Sequence, residues 1–422
     1  MLRWLALLSV LALPASAQDF YTLKGHGGPV MAVATGPDGQ IATASFDNAV
    51  GLWSGTEPKW HDGHEAAVNT VVFDNQGGVL SGGDDYSVRR WLDGKGTVLW
   101  THQAKVMGLA VHGHQIASAS WDATIGVTQQ GGKVRYMRGH SQGVNDVVFT
   151  PDGARLYSAS TDGTIRVWDV ATGAQTQQLL KHGFGVNTLV LRNEWLAYGA
   201  IDGVTRIVNA TTGAAIADFT LERRPVLAMA LNPAGTRLAV GDGEGFIMVI
   251  DTENWRIIKD FRAAKRGPVW ALAFSENGQN IHAGGLDSIV YSWPVETLTD
   301  HEQMTKDVKT FLTDPAKMTN GERQFQRKCS ICHTLSEGSA RRAGPTLYGV
   351  FGRGAGTVGD YRYSTVLTGS DIVWSEITID ALFDEGPDHY IPGTKMPMQR
   401  IVKPQDRVDL ITFLRDATRV ED

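Results

Sequence analysis

The sequence is short of cysteine, of long apolar runs and of charge imbalance. Only Cys329 and Cys332 occur in 422 residues. A framework of stapling disulfides is therefore excluded, and the pair needs a chemical explanation. No apolar run reaches the roughly 20 residues that a membrane-spanning helix needs. The run from Trp4 to Leu13 follows Arg3 and leads to Pro14 and the small-residue site Ala15-Ser16-Ala17. This pattern reads as a secretory signal peptide over residues 1–17, cleaved before Gln18, on a protein with no membrane insertion after cleavage. The formal charge of −6 is too modest to point to nucleic acid or an anionic membrane surface as a partner. A chain of this length exceeds what one hydrophobic core usually holds, so two domains are expected.

What is present is first a repeat. A unit of about 40 residues recurs seven times, the period of four-stranded propeller blades. Each unit has a strand opening on valine: Val30, Val68, Val106, Val144, Val186, Val226 and Val269. A small-residue stretch then leads to an acidic turn residue: Asp47, Asp85, Asp122, Asp162, Asp202, Glu244 and Asp287. Gly-His pairs stand at Gly25-His26, Gly63-His64 and Gly139-His140, and Trp53, Trp91, Trp168 and Trp293 close four units. With these features, residues 18–296 resemble a WD40 propeller. The last unit stops after its third strand, and Asp19–Lys24 reads as the missing fourth, which would close the ring and remove its sheet edges. The resemblance implies that His26, His64, His102, His140 and His182 form structural hydrogen bonds with the turn acids rather than a metal site. The seven strands expected to line the channel hold one ionisable residue, Asp146. That is a poor basis for acid–base chemistry, and the resemblance implies a binding scaffold instead.

Residues 297–317 are polar and mixed in charge, and read as a linker with one short helix. A helix follows over Gly321–Lys328, capped by Thr319 with Glu322. It delivers Cys329-Ser330-Ile331-Cys332-His333, the attachment signature of c-type haem. The thiols must lie three residues apart on a tight turn to add across the porphyrin's two vinyl groups, and His333 is then carried beneath the iron. A zinc site would want about four ligands, and a thioredoxin-like pair would sit at a helix start in a βαβ unit; neither setting is present.

Residues 318–422 resemble a class I cytochrome c of the mitochondrial and bacterial c2 type. The matching blocks are Gly321 and Phe325, the Cys329–His333 motif, Gly344-Pro345, Phe351-Gly352-Arg353, Tyr361 to Tyr363, Trp374, Ile391 to Met396 (IPGTKM) and Asp409 to Leu414. The resemblance implies an all-α domain with one covalent haem c. His333 and Met396 would be the axial iron ligands, and the Pro345 carbonyl would orient the imidazole. Tyr363, Trp374 and Thr394 would hydrogen-bond a haem propionate, and Arg353 would offset buried charge. Met398 is the nearest competitor for the iron, outside the GTKM frame.

Two departures from the family stand out. The helix before IPGTKM, Thr378–Gly386, carries Leu382 and Phe383 where a tyrosine commonly reaches the Met sulfur. Asp388 and His389 stand where a lysine pair would steer docking. Residues 301–422 hold about 16 basic and about 17 acidic side chains, so a strong positive field is missing. The expected architecture is an all-β seven-bladed propeller followed by an all-α cytochrome. The expected function is electron transfer in the periplasm of a Gram-negative bacterium, with the propeller docking a redox partner protein. The alternative is an oxidoreductase whose propeller binds a substrate or second cofactor and whose haem accepts the electrons.

Overall fold

The computed structural model describes residues 19–220, 225–298, 318–396 and 399–420. The expected signal peptide, Met398 and all but two residues of the expected linker lie outside them. Among the described residues, seven antiparallel sheets of four strands are arranged as blades. Six blades run in chain order, beginning with β2 (Val30–Thr35) to β5 (Glu57–Asp62). The seventh joins β26 (Val269–Phe274), β27 (Asn280–Gly285) and β28 (Ile289–Pro294) to β1 (Tyr21–Lys24). β1 pairs antiparallel with β28 from Tyr21↔Ser292 to Lys24↔Ile289. The N-terminal segment thus supplies the fourth strand, as expected. The innermost strands form a closed ring in which β26 packs against β2.

The valine and small-residue signals have one cause. Each opening valine is almost wholly buried, and it packs on the small residue in the second strand of the preceding blade. A Cβ built on Gly82 would lie 2.4 Å from Val106, one on Gly199 2.3 Å from Val226, and one on Gly241 2.7 Å from Val269. Glycine there makes room for a valine worth on the order of 2 kcal/mol when buried. Asp146 accepts hydrogen bonds from the Val147 and Leu189 amides, and so ties the fourth inner strand, Val144–Phe149, to the fifth, Val186–Arg192.

The histidines lock individual blades. In the second blade His64 Nδ1 donates to Asp85 at 3.0 Å, its Nε2 accepts from the Ser81 hydroxyl at 2.7 Å, and the Trp91 indole donates to the same hydroxyl at 2.7 Å. His26–Asp47–Thr43–Trp53 and His140–Asp162–Ser158–Trp168 repeat this chain. Burial would otherwise leave these groups unpaired. In the third blade Trp100, from the outer strand of the preceding blade, donates to Ser118. His182 meets Asp202 through Nε2 instead. In the seventh blade Arg266 takes the histidine's place beside Asp287. The sixth blade differs from the sequence reading: Glu244 occupies the turn position, but Asp242 accepts the turn amides of Glu244 and Phe246.

The C-terminal domain is helical, with α1 (Asn320–Lys328), α2 (Glu376–Glu385), α3 (Pro387–Tyr390) and α4 (Pro404–Ala417). Thr319 caps α1 by accepting from the Glu322 amide. α2 starts two residues earlier than Thr378, because Ser375 forms a capping box with it. α1 crosses α4 at Gly321, where a Cβ would fall 2.0 Å from the Asp409 carbonyl oxygen. Phe325 and Phe413 pack beside that crossing with ring centroids 5.6 Å apart. The resulting core joins Phe325, Ile379, Leu382, Phe383, Leu410 and Leu414.

Candidate functional site

The end of α1 continues into a turn in which the Cys332 and His333 amides both donate to the Cys329 carbonyl. This places the two thiols and the imidazole on one wall of a cavity in the helical domain. His333 Nδ1 lies 2.7 Å from the Pro345 carbonyl oxygen. A carbonyl can only accept, so Nδ1 carries the proton and Nε2 keeps its lone pair. No hydrogen bond occupies Nε2 among the described residues. Gly344 permits this geometry, since a Cβ there would sit 2.4 Å from the ring. Burial lowers the His333 pKa, against the opposing effect of the Pro345 bond, and so favours the neutral imidazole that a metal requires.

Burial raises the Cys329 thiol to about 12 and the Cys332 thiol to about 11. Neither has the depressed pKa of a redox-active thiolate. Among the described residues no group of three or more His, Cys, Asp or Glu converges as a metal site, so the zinc alternative finds no donor set. No disulfide joins Cys329 to Cys332.

All the other expected residues reach the same cavity: Pro345, Arg353, Tyr363, Trp374, Thr394 and Met396. Leu367, Ile379, Leu382 and Phe383 make its apolar wall. Arg353 donates to the carbonyls of Thr346 and Tyr348 at 2.7 Å, which fastens the loop after Pro345. The Thr394 hydroxyl accepts from the Met396 amide at 3.3 Å and so orders the turn that presents the thioether. Two further residues belong to the site: Tyr361, known from the sequence only as part of a matching block, and Ser364, not singled out from the sequence. Tyr361 donates to the Ala343 carbonyl at 2.5 Å, behind the histidine loop. Ser364 lines the cavity with a buried hydroxyl that has no partner among the described residues. An apolar slot with paired thiols, a presented imidazole and an orphaned hydroxyl fits a covalently held haem.

The family model "Cytochrome c" matches residues 318–418. Cytochrome c of Sesamum indicum is 43% identical over 105 residues, covering 25% of this chain and 93% of that protein. The chain belongs to the cytochrome c family. Cytochrome c of Stellaria longipes is 44% identical over 101 residues, or 24% of this chain and 91% of that protein. Membership brings one covalently attached haem c and electron transfer to the cytochrome domain. The model "WD domain, G-beta repeat" matches residues 18–54, 56–91, 131–169 and 255–294, the four units that close on Trp53, Trp91, Trp168 and Trp293. The WD40 β-propeller domain of Doa1 superimposes with a TM-score of 0.59 at 23% identity, covering 64% of this chain and 94% of that one, a likeness of fold alone.

Proposed function

We propose that this chain is a periplasmic electron carrier of a Gram-negative bacterium, in which His333 and Met396 are the axial ligands of the cytochrome's single haem and the propeller docks a redox partner protein. The observation that carries the ligand assignment is that the His333 imidazole, with Nε2 unpaired among the described residues, and the Met396 thioether line one cavity. Bound there, haem c supplies a one-electron iron couple.

The residues divide the remaining work. Cys329 and Cys332 anchor, and Pro345 fixes the imidazole's tautomer and plane. The Met396 thioether is a soft donor that favours the reduced metal. With His333 and Met396 both engaged, the group would offer no free position to oxygen or a substrate and would exchange electrons without binding one. Leu382 and Phe383 belong to the buried apolar cluster against which Met396 packs. Ser364 and Trp374 both line the cavity as side chains able to donate to a carboxylate. Export is supported by the residue 1–17 pattern, and docking by a stiff ring that presents many loops for recognising a protein. Tethering to such a scaffold gives an effective concentration of about millimolar for a short linker, in place of a long-range positive field.

The assignment is tested on protein made in a host with c-haem maturation machinery. Wild type is expected to show one haem per chain by pyridine haemochrome and the weak far-red methionine-to-iron band, and Met396→Ala is expected to keep the haem and lose the band. A band that persists without Met396 would show that the sixth ligand is another residue.

A further inference from the structure

The cavity has a second owner. Its outer wall is made by Phe46, Asn48, Ala66, Ala67, Asp84 and Lys105, all from the loops of the first three blades. The helical domain is held there by paired charge. Arg341 Nη2 lies 2.6 Å from Asp62 Oδ1, and its guanidinium sits 4.5 Å over the Trp60 ring. Arg362 faces Glu65 at 3.8 Å, and Glu65 and Asp85 both act on the ammonium of Lys395, next to Met396. The backbones meet as well. Ala340 and Arg341 take left-handed φ values of 47° and 52°, and a Cβ built on Gly27 would fall 2.2 Å from the Arg341 carbonyl carbon and oxygen.

We propose that the loop face of blades one to three is the resident docking partner of the cytochrome's haem mouth, occupying in cis the surface that an external redox protein would use. The inference rests on the haem reading given above. It accounts for the charge pattern of the helical domain: three cations around the mouth, Arg341, Arg362 and Lys395, stand beside propeller carboxylates at the rim of the contact. Opposite charges on facing patches fix orientation and register. The cation–π contact at Trp60 adds to them, and the exposed ion pairs are individually weak. The contact is therefore displaceable. A protein partner reaches the haem edge on this side only when the propeller has moved off it, whereas a small reagent reaches it through the cleft.

The test uses full-length holoprotein. Gly27→Leu places a side chain against the Arg341 backbone, and neither Gly27, Ala340 nor Arg341 lines the cavity. Reduced wild type and variant are mixed with an oxidised blue-copper protein and, separately, with ferricyanide, and their radii of gyration are measured by solution X-ray scattering. The expected result is a rate with the copper protein at least about tenfold higher in Gly27→Leu, a much smaller change with ferricyanide, and a larger radius of gyration. Asp62→Lys is expected to act in the same direction, and adding Arg341→Asp to it to restore part of the wild-type rate. Equal rates for wild type and variants with the copper protein, or a wild type already as extended as Gly27→Leu, would overturn the proposal. Pyridine haemochrome separates the two readings: a chain without haem would overturn electron transfer, while scattering would still report the contact.

Discussion

His282 is 1% exposed, and its Nδ1 has no hydrogen-bond partner among the described residues. Burial pushes its pKa from 6.5 down to about 4, so the folded chain keeps it neutral while the unfolded chain takes up a proton. Stability from this residue is thus complete above about pH 6.5 and lost as pH falls towards 4, a difference of about 3 kcal/mol. His282→Gln is expected to flatten that part of the pH–stability curve, as read by urea unfolding at a series of pH values. Asp146 has the opposite sign. Burial raises it to about 6, so its contribution declines as pH rises from about 4 to about 6. Neither effect was legible in the sequence, because β27 shows only a histidine among small residues. The haem-site residues were legible for the opposite reason: the thioether chemistry fixes the spacing of Cys329, Cys332 and His333 along the chain. Ser364 escaped notice because an unpaired hydroxyl is visible only once its surroundings are built.

Individual blades differ in how they are locked, and the differences predict different costs. Ser158 serves both His140 and Trp168. Ser158→Ala would leave a buried acceptor and a buried donor unpaired, at about 2 to 4 kcal/mol. In the fifth blade Tyr198 stands at the equivalent place, with its hydroxyl 3.5 Å from His182, and Val208 replaces the tryptophan. Tyr198→Phe is expected to cost only about 1 kcal/mol. Urea titration followed by tryptophan fluorescence would rank the two, and equal costs would contradict the hydrogen-bond chain as the source of blade stability. The blades read most easily from sequence were those closed by tryptophan, and in the first, second and fourth the tetrad imposes residue identity. The third and fifth keep a histidine–acid pair without a closing tryptophan of their own, while the sixth keeps valine and small-residue packing, which constrains size alone, and there Asp242 caps the turn two residues before Glu244.

The whole molecule is a ring shut by its own N-terminal strand, with a haem domain set against one face. Closure rests on few residues. Leu23 is 1% exposed, within a cluster of Trp53, Val30 and Val290, and Leu23→Ala is expected to cost about 2 to 5 kcal/mol. Thermal unfolding of the full chain would check this; a loss below 1 kcal/mol would mean that β1 does not hold the ring. Closure was readable because the repeat count left one strand missing. The contact between domains was not, because Asp62 and Arg341 are far apart in sequence and neither lies in a motif. The claim on which function depends is that one haem, closed at both axial positions, exchanges single electrons. Spectroelectrochemical titration of the full-length holoprotein tests it most directly. A single reversible one-electron wave, with a low-spin spectrum at both ends and no added substrate, is the predicted result. A high-spin oxidised form, or a wave that appears only with a substrate present, would contradict it.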